Sequence, residues 1–238
     1  MDRWILLVGK KTYLVDRRAK TFNTEFGKID LTKIKKYGQK IRAKRSTFIA
    51  IKPTIIDFIR HSKRMPQVIL PRDAASIVAE TGLSRGWNCL DAGGGSGFLT
   101  MFIANIANPG KVYCYEKNEK FYKNILRNVE KTGLKNIVVK NKDVFKFTEK
   151  NLDLITLDMV GAEDMVEKCY KRLNPGGWLA VYSPHIEQVK SVRDKMKKFS
   201  YVKTIENTVR VWKVDTHTHP VPSGIIHTGF ITFGRKIE

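Results

Sequence analysis

The sequence predicts an α/β protein in which a doubly wound, mostly parallel sheet ends in an antiparallel hairpin and follows a small β-rich N-terminal domain. Three observations predict this fold class. From Asp73 onward, apolar runs of strand length alternate with amphipathic runs of helix length, which is typical of parallel strands joined by crossover helices. Near the C-terminus, two β-prone runs follow each other without a helix between them, which indicates an antiparallel pair. Before Asp73 the β-prone runs are short, and no long helical run separates them.

The first part of the chain contains four short β-prone runs and one helical run. Strands are predicted at "WILLVG", "TYLVD", "GKIDL" and "STFIAIKP", where branched and aromatic residues concentrate. Thr54–Ser62 is predicted to form a short linking helix, and after it Pro66 and Pro71 favour an extended backbone. We therefore expect a small basic β-rich domain over residues 1–62 and an α/β domain over residues 63–238.

The elements of the α/β domain follow in strict alternation. Amphipathic spacing predicts helices at Asp73–Glu80, Ser96–Ile106, Asn118–Lys131, Ala162–Leu173 and Ile186–Phe199. Apolar runs predict strands at Trp87–Asp91, Lys111–Glu116, Asn136–Lys140, Leu152–Leu157 and Gly177–Ser183. The terminal antiparallel pair is predicted at Val202–Val214 and Ile225–Arg235, joined by "DTHTHPVPSG". This order brings the carboxyl ends of the parallel strands to one edge of the sheet, where ligands bind in doubly wound folds.

Composition restricts the class of protein. With 238 residues, of which 42% are hydrophobic, the chain can bury a sizeable core. No window approaches the roughly 18 consecutive apolar residues of a membrane span, and the N-terminus lacks the pattern of a signal peptide. The three cysteines lie in apolar segments without CxxC spacing, so we expect buried free thiols in a reducing cytoplasm, with neither a metal site nor a disulfide framework.

The net charge of +21 is unevenly distributed along the chain. Residues 1–72 hold 19 basic and 5 acidic residues, a net charge of +14, whereas the remaining residues have a net charge of +7. The densest basic segment is Lys33–Arg45, "KIKKYGQKIRAKR". Such an imbalance indicates a polyanionic partner, either nucleic acid or an anionic membrane surface. A lysine-rich surface of a heat-adapted protein explains the lysine count but not its concentration.

The stretch "LDAGGGSGF" has the context of a nucleotide-binding turn, because it follows a predicted strand and opens a predicted helix. Glycines allow the backbone to turn tightly and to approach a ligand closely. The spacing Gly93-x-Gly95-x-Gly97 differs from the G-x-G-x-x-G of dinucleotide sites. Preceded by Asp91, it is instead the pattern of S-adenosyl-L-methionine methyltransferases. We therefore predict that the sheet is Rossmann-like and that the cofactor is S-adenosyl-L-methionine, in preference to a tight turn without a ligand.

Acidic residues follow the next strands at the same predicted edge. Glu116 ends the second strand, where a carboxylate can accept from both ribose hydroxyls. Asp143 follows the third strand and can accept from an adenine amino group, with Val144 beside the ring. Asp158 ends the fourth strand, beside the ligand crevice. Any one of them could be a solvated loop residue, but their order along the chain is the layout of a Rossmann-like methyltransferase.

Further segments narrow the family. These are "FGKIDLTKI", "PQVILPRDAASIV", "DAGGGSGFLT", "LNPGGWLAVYSPHIEQV" and "HTGFITFGRK". With them the chain resembles, over nearly its whole length, the tRNA (adenine-N1) methyltransferases that modify the T-loop adenine at tRNA position 58. The resemblance implies a tRNA substrate and a homotetramer built as a dimer of dimers. The sequence leaves open whether the neighbouring adenine 57 is a second target.

The resemblance also implies roles for individual residues. Asp158 would contact the target adenine as the catalytic residue and would border the cofactor. The implied cofactor-binding residues are Gly93, Gly95, Ser96, Gly97, Leu99, Glu116, Asp143, Val144 and Asp158. The target base must leave the folded tRNA before it can react.

Two departures from the family pattern affect the expected base pocket. Leu70 stands where an aromatic residue is common, and "LDMVGAEDMV" replaces the common "LDxPxPW" after the fourth strand. These changes keep open a methyltransferase for another RNA base or a small molecule. A third reading is a non-catalytic RNA-binding subunit, against which the intact glycine turn and its acids argue.

For several other polar residues the sequence allows a functional and a structural interpretation. Tyr182 and Gln188 could lie near the target base or could serve strand-end packing and helix capping. His217, His219 and His227 have poor spacing for zinc, so we predict hairpin-loop residues and no metal.

Overall fold

The structure is a computed structural model that describes residues 2–65, 68–222 and 227–238. The chain divides into two compact units. Unit 1 consists of Met1–Lys63 with Arg127–Gly133, and unit 2 consists of Arg64–Leu126 with Leu134–Glu238. Within the described residues, no helix combines the length and the apolar character needed to cross a membrane.

The N-terminal part is a small β structure, as predicted. Its elements are β1 Trp4–Val8, β2 Thr12–Asp16, β3 Thr21–Thr24, β4 Gly27–Asp30, β5 Lys40–Arg42, β6 Thr47–Ile51 and α1 Ile55–Arg60. Four strands form an antiparallel sheet in the order β2-β1-β6-β5, and β3 pairs with β4 separately. Burial alternates along β5 and β6, so one face of the sheet lies inside, with Phe48 and Ala50 fully buried.

The remaining elements are those of a doubly wound fold. The helices are α2 Pro71–Thr81, α3 Phe98–Ala107, α4 Glu119–Thr132, α5 Ala162–Arg172 and α6 Ile186–Lys195. The strands are β7 Cys89–Ala92, β8 Val112–Tyr115, β9 Ile137–Lys140, β10 Leu152–Leu157, β11 Leu173–Ser183, β12 Ser200–Glu206, β13 Trp212–Lys213, β14 His219–Pro220 and β15 Phe230–Arg235.

Seven strands form one sheet in the order β12-β15-β11-β10-β7-β8-β9. The strands β7 to β11 are parallel to one another, and β15 is antiparallel to both β11 and β12. The chain enters at β7, builds outward to β9, and then crosses back to β10 on the other side of β7. This reversal is the topological switch point at which doubly wound sheets bind ligands.

The strand register sets the position of the site. Ala92 at the end of β7 pairs with Tyr115 of β8 and with Leu157 of β10, and Tyr115 pairs with Lys140 of β9. The residues that follow these four strand ends therefore emerge at one edge. Successive residues of β7 enter two different core clusters, since Leu90 packs in one and Cys89 in the other. Because both faces of the sheet are buried, the sequences of these strands are continuous apolar runs.

One predicted element is wrong in its extent. The run Val202–Val214 was expected as one strand, but β12 ends at Glu206 and the short ladder of β13 with β14 forms apart from the main sheet. The chain leaves the sheet at Asn207, whose amide nitrogen donates to Asp73 at 2.9 Å and whose amide oxygen accepts from Ser76. The extended backbone predicted at Pro66 and the start of the second run at Ile225 lie outside the described residues.

Smaller differences concern element ends. Strand β11 begins at Leu173 instead of Gly177, because Leu152 of β10 already pairs with Leu173. Helix α6 ends at Lys195 instead of Phe199, since a turn at Met196 accepts the backbone N–H of Phe199. Helix α3 begins at Phe98 instead of Ser96 because Gly97 has a left-handed backbone.

Candidate active site

The glycine turn lies tightly against its neighbouring strands. It begins at Gly93, directly after β7, where φ is 83°. A Cβ atom at Gly93 would lie 2.0 Å from the backbone oxygen of Asp158, and one at Gly94 would lie 2.5 Å from Cys114 Sγ. Real Cβ atoms do not approach other atoms this closely. A side chain is therefore excluded at Gly93, where the opposing atom is backbone, and at Gly94 the Cys114 side chain would have to move. The turn ends at Gly97, which is the N-cap of α3.

Backbone hydrogen bonds fix the turn to the end of β8. The N–H groups of Gly93 and Gly94 donate to the Tyr115 carbonyl at 3.2 and 3.1 Å. The N–H of Gly95 donates to Glu116 Oε2 at 3.0 Å, and Glu116 Oε1 accepts from the N–H of Asn118 at 2.8 Å. The buried Glu116 carboxylate thus joins the turn to the start of α4, and each oxygen retains a lone pair for a ligand.

The segment after β9 is held beside Glu116. Asn141 Nδ2 donates to the backbone oxygens of Glu116 and Lys117 at 2.8 and 3.1 Å. Asp143 Oδ1 accepts from the N–H of Phe145 and caps a short 3-10 turn, while Val144 is buried. Among the described residues no donor contacts Asp143 Oδ2, so this oxygen is available to a ligand.

Two cavities lie on either side of the glycine turn. The larger has a volume of about 400 Å³ and is lined by Gly93, Gly95, Glu116, Asp143, Val144 and Asp158, among others. The smaller, about 20 Å³, includes Ser96, Leu99 and Asp158 in its lining. The larger cavity has the size of a small-molecule site, and the smaller has room for about one water molecule. Gly97 lines neither cavity, and a Cβ atom at this residue would contact the Ile125 side chain.

Asp158 lies at the junction of the two cavities with an unpartnered carboxylate. Its backbone N–H donates to the Ala92 carbonyl at 2.9 Å, which fixes the residue at the end of β10. No described residue donates a hydrogen bond to its side chain. Burial, with a smaller contribution from the charge of Asp91, raises the pKa of Asp158 to about 7.

Asp91 has a structural role in contrast to Asp158. Its two oxygens accept from the hydroxyls of Thr100 and Thr156 at 2.5 and 2.7 Å. The side chain is almost fully buried, and burial raises its pKa as well. The aspartate that opens the glycine motif therefore ties β7 to α3 and β10.

One polar network beside the larger cavity has no signal in the sequence motifs. Tyr115, which lines that cavity, donates from its hydroxyl to Glu149 Oε2 at 2.8 Å. Lys140 Nζ forms an ion pair with Glu149 and contacts the Tyr115 hydroxyl at 3.3 Å. Lys140 and Glu149 flank the segment that carries Asp143, so the network fixes that segment to β8.

A second network joins two motifs that are far apart in sequence. The fully buried Asp73, from "LPRDA", accepts from Asn207 Nδ2 at 2.9 Å and from the hydroxyl of Thr228, in "HTGF", at 3.2 Å. The Tyr182 hydroxyl donates to the Thr228 carbonyl at 2.5 Å. This hydrogen bond to Thr228 holds the Tyr182 hydroxyl at the end of its strand. Gln188 Oε1 is buried, and no described residue donates to it.

The histidines and cysteines form no reactive cluster in the described part of the chain. His217 and His219 are exposed, and His227 contacts Glu206 at 2.5 Å. Among the described residues, no group of three or more His, Cys, Asp or Glu side chains is arranged to hold a metal ion. All three cysteines are buried and free, and burial raises the pKa of Cys169 to about 12.

Comparison with known proteins places this geometry among methyltransferases. The profile of the family described as the tRNA methyltransferase complex GCD14 subunit matches residues 58–228. The chain is 32% identical over 269 residues to the tRNA (adenine(57)-N(1)/adenine(58)-N(1))-methyltransferase TrmI of Methanocaldococcus jannaschii, covering 99% of this chain and 95% of that protein. It is 28% identical over 192 residues to the tRNA (adenine(58)-N(1))-methyltransferase TrmI of Thermus thermophilus, covering 78% and 75%.

Solved structures agree with the sequence relatives. A Thermotoga maritima structure described as an S-adenosylmethionine-dependent O-methyltransferase superposes with a TM-score of 0.86 at 29% identity, covering 100% of this chain and 95% of that chain. The tRNA (m1A58) methyltransferase TrmI of Aquifex aeolicus superposes with a TM-score of 0.80 at 25% identity, covering 99% and 97%.

Proposed function

This chain belongs to the family of the tRNA methyltransferase complex GCD14 subunit, and from this premise we propose that it transfers a methyl group from S-adenosyl-L-methionine to N1 of an adenine in the T-loop of tRNA. The observation that carries the proposal is the larger cavity, which the glycine turn, Glu116, Asp143 and Asp158 line together. It occurs in a chain that matches a tRNA (adenine-N1) methyltransferase over nearly its full length.

The residues around the glycine turn suit the cofactor. At Gly93 a side chain would collide with the backbone of Asp158, and a glycine turn lets the backbone approach a ligand closely. The free lone pairs of Glu116 would accept from the ribose hydroxyls, and Asp143 Oδ2 would accept from the adenine amino group. The residues proposed to hold the cofactor are Gly93, Gly95, Ser96, Gly97, Leu99, Glu116, Asp143, Val144 and Asp158. When bound, S-adenosyl-L-methionine supplies an electrophilic methyl group.

Asp158 is proposed to act on the target adenine. Methylation at N1 leaves a positive charge on the base, and a carboxylate that accepts from the exocyclic amine stabilises that charge. The Asp158 carboxylate is suited to this role because no described residue donates to it. Its raised pKa means that the ionised, accepting form predominates only above about pH 7.

The proposal also names the substrate, its target position, the cellular location and the oligomeric state. The tRNA substrate is supported by the names of the relatives and by the excess of basic residues in the first 72 residues. Position 58 is the proposed target, and position 57 is a second candidate because the Methanocaldococcus relative is named for both. A cytoplasmic homotetramer, built as a dimer of dimers, is proposed from the family resemblance.

The proposal is tested with purified protein, S-adenosyl-L-methionine and an unmodified tRNA transcript. We expect N1-methyladenosine in the T-loop, mapped by mass spectrometry of nuclease fragments. Methylation confined to another nucleotide, or transfer to small molecules but not to tRNA, would overturn the proposal.

A further inference from the structure

The basic segment of unit 1 presents a row of cations on one strand and in the turn that follows it. Lys33–Arg45 contains seven basic residues and no acidic residue. Within it, Lys40 and Arg42 of β5 are exposed while Ile41 between them is buried, and the alternation continues with buried Ala43 and exposed Lys44. Lys40 and Arg42, on the outward face of β5, and the exposed Lys44, in the turn that follows it, are here called the β5 row. Because β5 is the edge strand of its sheet, no further strand of the described chain pairs with it on its outer side.

The charges of the β5 row are uncompensated. Some other exposed cations of unit 1 do pair with carboxylates, as Lys11 does with Glu25 at 2.7 Å and Lys52 with Asp2 at 3.4 Å. Among the described residues, no carboxylate forms an ion pair with any member of the β5 row. Three adjacent positive charges without partners repel one another and favour an anionic ligand.

The backbone beneath the row is ordered by specific hydrogen bonds. Gln39 accepts from the N–H of Lys35 and donates to the Lys33 carbonyl, both at 2.8 Å. At the other end, the N–H of Ala43 donates to the Ser46 carbonyl at 2.8 Å and closes the turn to β6. The cations therefore project from a strand and from a hydrogen-bonded turn, and binding does not require a mobile tail to become ordered.

The spacing and surroundings of the row suit a nucleic-acid backbone. Lys40 and Arg42 are alternate residues of a strand, which lie about 6.6–6.8 Å apart. This distance is comparable to the separation of successive phosphates along an RNA strand. Beside the row, β6 places Ile49 opposite Lys40 and Thr47 opposite Arg42. Ile49 is 40% exposed and is a single aliphatic contact, whereas insertion into a membrane surface needs a broad apolar face.

We propose that the β5 row, Lys40, Arg42 and Lys44, binds the phosphate backbone of the tRNA substrate. This inference rests on the proposed function, since it names the surface that holds the substrate of that reaction. The row contributes to affinity and not to the choice of base, because phosphate contacts hold a nucleic acid in place without reading its sequence.

The test compares two triple variants of the full-length protein. In the first, Lys40, Arg42 and Lys44 are replaced by Gln. In the matched control, three exposed lysines of unit 2 are replaced by Gln, namely Lys190, Lys195 and Lys197. Binding of unmodified tRNA is measured by fluorescence anisotropy over a range of salt concentrations, and kcat and KM are measured by methyl transfer.

We expect the β5 variant to lower the slope of log affinity against log salt by about 2 to 3 and to raise KM for tRNA roughly tenfold. The kcat at saturating tRNA and the Kd for S-adenosylhomocysteine should stay within about twofold, because the site residues are untouched. The control should change the slope by less than about 1.

Two outcomes would overturn the inference: equal effects of the two triple variants on tRNA binding, or a β5 variant that loses binding to phosphatidylserine vesicles while binding tRNA normally. Failure of the proposed function is distinguishable, because it requires that the unaltered protein methylate no tRNA adenine. Anisotropy still tests the β5 row in that case.

Discussion

Gly93 is the residue at which the site tolerates least change. Its left-handed φ of 83° and the 2.0 Å approach to the Asp158 carbonyl both oppose a side chain. For Gly93→Ala we expect at least tenfold weaker binding of S-adenosylhomocysteine, measured by titration calorimetry, because the turn must move away from β10. Gly82→Ala is the matched control, since Gly82 also has a positive φ of 69° but no atom lies within 4 Å of its added Cβ. Equal losses of binding in both variants would contradict the steric argument.

The raised pKa of Asp158 predicts how activity depends on pH. If the ionised carboxylate accepts from the target adenine, kcat/KM for tRNA should rise with pH and level off above about 7. Asp158→Asn should lose most of the methyl transfer and also this pH dependence, while it still binds S-adenosylhomocysteine. A pH profile of the residual Asp158→Asn activity with the same limb as the unaltered protein would assign the titration to another group.

The same pKa predicts an effect on stability with a definite sign. The folded-state pKa of about 7 lies above the ordinary aspartate value of 3.8, so the folded state binds the proton more tightly. The contribution of Asp158 to folding stability is therefore lost as pH rises from about 4 to about 7, and above that pH it stays level. We expect Asp158→Asn to raise Tm relative to the unaltered protein at pH 8 and to change it little at pH 4, as measured by calorimetry. An identical difference in Tm at both pH values would contradict the shifted pKa.

At the scale of elements, the segment between Lys140 and Glu149 positions part of the cofactor site. The Glu149 side chain is 8% exposed and holds both Lys140 and the Tyr115 hydroxyl. Burial alone would raise the pKa of Glu149, but hydrogen bonds from Lys140 and Tyr115 outweigh it and lower that pKa. The carboxylate is therefore ionised, and neutralising it leaves the buried Tyr115 and the half-buried Lys140 poorly satisfied.

We expect Glu149→Gln to weaken binding of S-adenosylhomocysteine about tenfold, corresponding to a lost charged hydrogen bond. The kcat at saturating cofactor should remain within about twofold, since Glu149 touches no reacting atom. Glu167→Gln serves as the control, because Glu167 pairs with Lys171 and Lys198 on an exposed helix face. A fall in kcat without a change in KM for the cofactor would assign Glu149 another role.

The elements also show how far the sequence predicts the structure. Strand β10 has the predicted bounds, Leu152–Leu157, because a continuous apolar run is unambiguous when both sheet faces are buried. The prediction of a single strand over Val202–Val214 was wrong, because the break at Asn207 depends on Asp73, 134 residues earlier. Periodicity reports local burial and contains no information about such a distant hydrogen-bond partner.

The candidate site, too, is predictable from the sequence only in part. The order of Glu116, Asp143 and Asp158 after successive strands was sufficient to predict that they line one cavity, because parallel strands end at one edge. The Lys140–Glu149 pair was not predictable, since neither residue belongs to a motif and their contact depends on the path of the chain after β9.

At the scale of the whole molecule, the chain combines a cofactor site at the switch point of the sheet with a basic N-terminal region. The first depends on topology and the second on charge, so they can be tested separately. The family to which the chain belongs links them through one reaction on tRNA.

The most direct test of this account is single-turnover methyl transfer to two tRNA transcripts, one unaltered and one in which guanosine replaces both T-loop adenines, at positions 57 and 58. We predict transfer of one or two methyl groups to the unaltered transcript, recovered as N1-methyladenosine, and none to the substituted transcript. Equal transfer to both transcripts would contradict the central claim that Asp158 and the surrounding cavity act on an adenine of the T-loop.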